Sequence, residues 1–360
     1  MERRRWLDEV AYADLVALCQ VLPGPATSQV GFAIGLGRAG AAGGIAAVLA
    51  FTLPSALLLL AFALGAAAFS GAGGVAAVHG LKLVAVAIVA HAVWGMARTL
   101  TPDVLRRCIA LVAVAIVFFG AGTLAQFGAM AMGGVAGLLL LEPVVDAEIP
   151  HAPFPGTART GVVCLAVFAA LLGALPLLAA RTHWPELQLF DVFYRTGALV
   201  FGGGHVVLPL LQSQVVTSGW VDNDTFLAGY GAAQAMPGPL FAIGAFLGAV
   251  AKPMTYHLLG AALALLGLFL PGLLIVNAVL PFWGTLRRQQ RMRAALRGVN
   301  AAVVGVLAAA LWNPVWTSAV LRPADAVIAL LGFAALTVAR VAPWMVVAGI
   351  VVVSVVVGRS

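Results

Sequence analysis

Apolar residues in this chain gather into twelve stretches, near 10–37, 40–69, 74–97, 107–124, 126–141, 161–180, 192–217, 223–250, 256–282, 295–313, 324–340 and 343–358. A helix that crosses a bilayer needs about 20 predominantly apolar residues. The stretch at 126–141 is short for that role. The pattern predicts an all-α, polytopic integral membrane protein of about 12 transmembrane helices. One intervening segment, 142–160, is polar and proline-rich, with Glu142, Asp146, Glu148, Pro150, Pro153 and Pro155. It reads as the linker between two halves, with 161–180 as a bridging helix. The expected organisation is a first repeat over 1–141, a linker and bridging helix over 142–185, and a second repeat over 186–360.

The halves are internal copies. Gln20-Val21-Leu22-Pro23-Gly24-Pro25 recurs as Gln234-Ala235-Met236-Pro237-Gly238-Pro239, at an offset of 214 residues. At the same offset Trp6 falls on Trp220, Asp8 on Asp222, Phe32 on Phe246 and Arg38 on Lys252. Leu53-Pro54-Ser55 resembles Leu270-Pro271-Gly272 at 217, and Gly80, Lys82 and Trp94 fall on Gly298, Asn300 and Trp312 at 218. The second copy also has a helix before Trp220 that includes Phe201-Gly202-Gly203-Gly204-His205. Its counterpart would fall before residue 1, so the chain is expected to begin inside the first repeat.

Charge adds orientation. If all twelve stretches cross, one side holds Arg38, Arg98, Arg106, Arg107, Arg159, Arg287, Arg288, Arg291, Arg293, Arg297 and Arg340. The other holds Arg3, Arg4, Arg5, Arg181, Lys252, Arg322 and Arg359. The arginine-rich side is the expected cytoplasm. The loop before Gly80 is uncharged while that before Gly298 carries five arginines, and the bias reverses after Trp94 and Trp312. Such a swap is expected of inverted-topology repeats. The arginines at 3–5 fit poorly, unless a preceding helix that starts in the cytoplasm sets the topology.

Composition narrows the class. The chain is 62% hydrophobic and 9% charged, more apolar surface than a soluble domain can hide, and its net charge of +7 belongs to these loops rather than to a nucleic-acid surface. Cys19, Cys108 and Cys164 stand alone in apolar segments, so no disulfide framework, metal site or other cofactor is expected. No HExxH, CxxC, Walker or GxSxG pattern supports soluble-type catalysis.

The candidate chemistry centres on the repeated Pro-Gly-Pro. Proline removes an N–H and clashes with the preceding turn, so each motif ends one half-helix and starts another. The new half-helix presents free N–H groups, at Ala26, Thr27 and Ser28 or at Leu240, Phe241 and Ala242, and such a terminus favours anions. Paired breaks in corresponding positions of two halves are a sequence pointer to a transport site; the plain alternative is a proline kink. Gln20 and Gln234, one turn earlier, and the hydroxyls of Thr27 and Ser28 could donate to an oxyanion, or simply bond between helices. Gly202, Gly203 and Gly204 read as a flexible loop at the site or as a close helix approach, with His205 as a proton or anion partner. Lys82 is the deepest charge, and Arg195, Asp14 and His91 lie in or near apolar spans. Intramembrane charges usually face a cavity or a partner; Arg195 and Asp14 could equally be interfacial.

The run from Arg5-Trp6-Leu7 to Pro23-Gly24-Pro25, the Phe201–His205 run and Ala233-Gln234-Ala235-Met236-Pro237-Gly238-Pro239 together resemble the chromate ion transporter family, over nearly the whole chain. The resemblance implies an inner-membrane protein of two oppositely oriented homologous domains, chromate efflux and chromate resistance, with sulfate as a related substrate. A transporter working by alternating access would seat the dianion between Gln20–Ser28 and Gln234–Ala242, with Pro23, Gly24, Pro25, Pro237, Gly238 and Pro239 shaping it. Helix N-termini, Lys82 and Arg195 would balance charge, and Asn300 occupies the position that matches Lys82. Two other readings stay open: a transporter of sulfate or another oxyanion, and an intramembrane enzyme or structural membrane protein. Expected partners are the oxyanion and membrane lipid, with a homodimer left open and no nucleic acid.

Overall fold

The computed structural model describes residues 9–65, 72–120, 122–142, 156–201, 204–252, 254–286 and 289–357. The first repeat contributes α1 (Glu9–Val21), α2 (Ala26–Gly65), α3 (Ala72–Leu100), α4 (Val104–Phe119) and α5 (Gly122–Leu140). After α6 (Ala158–Thr182) come α7 (Pro185–Leu199), α8 (Val207–Val215), α9 (Asn223–Ala235), α10 (Ile243–Val250) and α11 (His257–Val279). The short α12 (Trp283–Leu286), α13 (Gln290–Ala310), the short α14 (Thr317–Ala319), α15 (Pro323–Thr337) and α16 (Pro343–Val357) complete the chain. Among the described residues each of the twelve apolar stretches is mainly helical. Six helices, among the described residues, are long and apolar enough to cross a membrane. Large apolar side chains cover the outside, with Phe119 86% and Leu124 82% exposed. Apolar surface on that scale is a lipid-facing coat. The chain is an all-α, multi-pass membrane protein.

Long-range bonds sort the helix ends onto two faces. On face A the Arg297 guanidinium donates to the Glu142 carbonyl, joining the end of α5 to the start of α13. Beyond α11 on the same face, Trp283 Nε1 donates to Asp14 Oδ1 of α1 at 3.0 Å. On face B the His79 ring of α3 meets Asp325, in the first turn of α15, at 3.0 Å, and Thr123 of α5 bonds Ser213 of α8.

α2 is two helices rather than one. Ala39 (φ −144°, ψ 28°) and Gly40 (φ 63°, ψ −159°) leave helical space. A Cβ on Gly44 would lie 2.7 Å from the Phe32 ring. Twelve residues of straight helix would separate these two by about 18 Å, so the chain has reversed into antiparallel limbs, 26–38 and 41–65. The α9–α10 segment reverses as well. Gly229 packs on the Phe246 ring, and beyond the far ends Lys252 N donates to Trp220 O at 3.0 Å. The start of α9 and the end of α10 therefore lie together, on face B. α7 leaves face B after α6 and α8 returns there, because Ser213 near its end bonds Thr123. The first limb of α2 likewise brings α1 back to face A.

This is where the structure departs from a count in which every stretch crosses. The first, seventh and eighth stretches enter and return. Their apolar runs are long enough to span, and only tertiary contacts between their limbs reveal the reversal. The seventh and eighth are consecutive, so the two reversals cancel and every later loop keeps its side. Among the described residues Arg38, Arg98, Arg106, Arg107, Arg159, Arg291, Arg293, Arg297 and Arg340 lie toward face A, and Arg181, Lys252 and Arg322 toward face B. The first stretch reverses before anything else, so α1 starts at Glu9 on face A, the arginine-rich one. The arginines at 3–5 themselves lie outside the described residues.

The repeats are inverted: α1 enters from face A and α9, its counterpart, from face B. They exchange their crossing helices. α13 lies against α4 and α5, with Gly305 on Ala113 and Gly298 on Gly137. α3 lies against α15 and α16, with Gly80 on Ser354. Gly80 and Gly298, equivalent in sequence, thus do the same work on opposite partners. Small residues let helix backbones touch in the membrane, where packing rather than water exclusion drives association.

Candidate functional site

Both Pro-Gly-Pro sequences break the helix as their chemistry requires. α1 stops at Val21 and α2 starts at Ala26; α9 stops at Ala235 and resumes through a 3₁₀ turn, Leu240–Ala242, into α10. The glycine in each break has positive φ, +113° at Gly24 and +140° at Gly238, a conformation that L side chains rarely adopt. A third interruption follows α7, at Val200–Phe201, with a 3₁₀ turn Gly204–Val206 leading into α8. Gly202 and Gly203 lie outside the described residues.

The three interruptions are the hairpin tips, and they meet inside the bundle. Gly24 N donates to Val200 O at 2.8 Å. A Cβ on Gly204 would lie 3.6 Å from Leu240 Cβ, just past the second break. Each break also rests on the proline-containing turn of the other repeat. A Cβ on Gly24 would stand 2.8 Å from Gly272 Cα, in Leu270-Pro271-Gly272. One on Gly238 would stand 2.9 Å from Ser55 Cβ, in Leu53-Pro54-Ser55. Three half-helices begin at this junction, α2 at Ala26, α8 behind Gly204–Val206, and α10 behind Leu240–Ala242. The start of α2 follows the expectation of free first-turn N–H groups, but at the second break the 3₁₀ turn pairs Ala242 N with Pro239 O and Ile243 N with Leu240 O, so Ala242 does not present the free N–H expected of it; the positive dipole ends of the half-helices favour an anion.

The side chains around the junction are mostly neutral. Pro25 and Ser28 are buried, Thr27 is exposed, and Ser28 Oγ has no hydrogen-bond partner. Gln20 is exposed. Gln234 is half-buried, with its Nε2 buried and unpaired, as is the Asn300 Oδ1 of α13. Pro237 is exposed and Pro239 buried. His205 Nδ1 lies 2.9 Å from the hydroxyl of Tyr230, which is fully buried in α9.

Two cations named from the sequence are engaged elsewhere. Arg195 binds Asp191, one turn back on α7, through two bonds of 3.0 and 2.6 Å. Lys82 Nζ donates to Asp224 Oδ1 at 2.9 Å and to Ser318 O at 3.4 Å. That pair lines a cavity of about 580 Å³ toward face B, shared with His79, Arg322 and Asp325. Lys82 therefore fastens the root of the second hairpin to α3, away from its tip.

Sequence reasoning passed over Gln29. Its side chain is fully buried, and its Nε2 donates to Pro23 O at 2.8 Å and to Gly272 O at 2.9 Å. It clamps the first break onto the opposite repeat, while its Oε1 stays unpaired. The signal available was an amide in an apolar helix one turn past a break. Comparison of the repeats hides it, because the equivalent position is Ile243.

The sequence profile described as chromate transporter matches residues 1–138 and 187–355. The chain is 26% identical over 312 residues to the chromate transport protein of Pseudomonas aeruginosa, covering 86% of this chain and 72% of that one. It is 28% identical over 316 residues to the chromate transport protein of Cupriavidus metallidurans, covering 86% and 74%. A probable chromate transport protein of Synechococcus elongatus is 27% identical over 314 residues, covering 86% and 76%. No solved structure matches the chain.

Proposed function

The chain belongs to the chromate transporter family, and from that premise we propose that it exports chromate across the bacterial inner membrane, confers chromate resistance, and does so by alternating access at the junction of the hairpin tips. Chromate is a tetrahedral dianion without a hydrogen-bond donor. A site for it needs N–H and O–H donors and positive potential more than any particular cationic side chain. The carrying observation is the reciprocal seating of the two breaks, Gly24 on Gly272 and Gly238 on Ser55. That arrangement, which gathers three half-helix starts from opposite faces around one point, supports the reading. Gln20, Thr27, Ser28, Gln234, Asn300 and His205 supply donors in reach of rearrangement, and Gly204 allows close backbone approach. Lys82 and Arg195 join the substrate's path when their aspartates release them. Face A, the arginine-rich face, is the cytoplasmic one in this reading.

Cells that express the protein should accumulate less radiolabelled chromate than cells without it, and Pro23→Ala or Pro237→Ala should remove the difference. Equal accumulation with well-expressed wild type refutes export. Sulfate has the same shape and charge, so competition between chromate and sulfate in inverted vesicles identifies which oxyanion the site prefers.

A further inference from the structure

Away from the junction, a cavity of about 330 Å³ lies near face B, between α8 of the third hairpin and the helices α4, α5 and α13. No charged residue lines it among the described residues. Its polar wall is oxygen-rich. Gln126 is 7% exposed; its Nε2 donates to Pro209 O at 3.2 Å, and its Oε1 accepts from the Ser213 hydroxyl at 3.3 Å. Gln212 is 5% exposed, its Nε2 is committed to Asn223, and its buried Oε1 has no donor. Asn313 adds a third amide where α13 leaves helical geometry (φ −130°, ψ 117°).

The backbone adds more acceptors. Ala310 lines the cavity, and so do Val117 and Phe118 in the last turn of α4, where carbonyls lack donors within their own helix. Gln212, Ser213, Val216 and Thr217, at the end of α8, line it too, so the C-termini of α4 and α8 bring their negative dipole ends to the cavity. The N-terminus of α5, at Gly122, opposes them singly.

We propose that this cavity binds a hard monovalent cation, sodium in the first instance. Surplus carbonyl and amide oxygens under negative helix ends repel an oxyanion and suit a cation. Calcium and magnesium sites call on carboxylates, which are missing from the described lining. Soft metals call on sulfur or imidazole, which are missing too. A cation held there would join α8, the returning limb of one hairpin, to α5 and α13. On the transport reading, its binding is then the step that couples a sodium gradient to hairpin movement.

The test uses the full chain in detergent. Thermal unfolding is followed in sodium chloride and in choline chloride of equal ionic strength. The expected result is a Tm higher by about 5 °C in sodium, once sodium exceeds its Kd about 100-fold. Gln212→Leu keeps the bulk and removes the orphan oxygen, and Ser213→Ala removes a hydroxyl; both should erase the sodium-dependent rise. Equal Tm values in the two salts, or an undiminished rise in both variants, overturns the site. Should Gln212→Leu fail to fold, saturable binding of radioactive sodium to the wild type decides, and its absence overturns the proposal. Sodium binding by a protein that moves no oxyanion upholds the site and refutes the transport reading alone.

Discussion

The two Pro-Gly-Pro breaks share a backbone and differ in what holds them. Each has a glycine at positive φ pressed against the proline turn of the opposite repeat. At the first, Gln29 stitches Pro23 O to Gly272 O and Gly24 N ties to Val200 O, so three segments are bound by hydrogen bonds. At the second, Ile243 replaces the glutamine and Gly238 meets Ser55 through van der Waals contact. Duplication supplied a symmetric scaffold, and substitution then left one tip tied by hydrogen bonds and the other held by packing. For a transporter that division is useful, because one half of a site holds its geometry while the other gives way.

The comparison can be broken first at the glycines. Gly24→Ala sets a Cβ 2.8 Å from the Gly272 backbone at φ +113°, and a strained residue plus an overpacked contact costs about 3 kcal/mol or more. Thermal unfolding should show the loss, and no side-chain change opposite can relieve it, since the obstacle is main chain. Gly238→Ala meets the Ser55 side chain instead, so adding Ser55→Gly should restore part of the lost Tm. Equal behaviour of the two glycines under that rescue would erase the proposed difference.

Next, Gln29→Leu strands one buried and one half-buried carbonyl and should destabilise by about 2–4 kcal/mol. The converse Ile243→Gln should not stabilise, because it puts an amide in place of a fully buried apolar side chain; a gain in Tm would show the tips to be equivalent after all.

A smaller effect separates the partners at the root of the second hairpin. The side chain of Lys82 is 8% exposed and that of Asp224 63%. Asp224→Asn leaves a buried ammonium short of its counter-charge and should cost about 1–2 kcal/mol, whereas Lys82→Met leaves an aspartate that water can solvate and should cost less.

The smallest concerns the cap of α9. Burial pushes the Asp222 carboxyl up, but hydrogen bonds from the Thr225 backbone and hydroxyl outweigh it and hold the group below its ordinary value. Asp222→Ala should cost about 1 kcal/mol. Because the folded-state value is depressed, this stabilisation is fully present above the unfolded aspartate value and fades as pH falls through the folded one. The gap in Tm between wild type and Asp222→Ala should close in acid.

Proline and glycine act on the backbone whatever surrounds them, so both breaks and the duplication were legible in the sequence. Inversion was legible too, because charge in loops records sidedness. What stayed hidden depended on residues far apart in the chain. Nothing local distinguishes a stretch such as 223–250 that folds back at Gly238 from one that crosses; the contact of Gly229 with Phe246 does so. Lys82 looked like a substrate ligand because its partner, Asp224, lies 142 residues away on another element. Gln29 escaped because comparing copies reveals what the copies share, and the glutamine is where they differ.

The doubled-back hairpins also bear on how the protein is made. A segment that leaves and returns on one face takes no hydrophilic loop through the bilayer. Its tip alone must pass into hydrocarbon, and the described tips, Leu22-Pro23-Gly24, Val200-Phe201 and Met236-Pro237-Gly238, carry no charge. The crossing helices can therefore be threaded and oriented by their arginine loops first, with the hairpins sliding into a finished frame afterwards. A charge placed at a tip would then act during biogenesis, and its mark would be a shortfall of assembled protein.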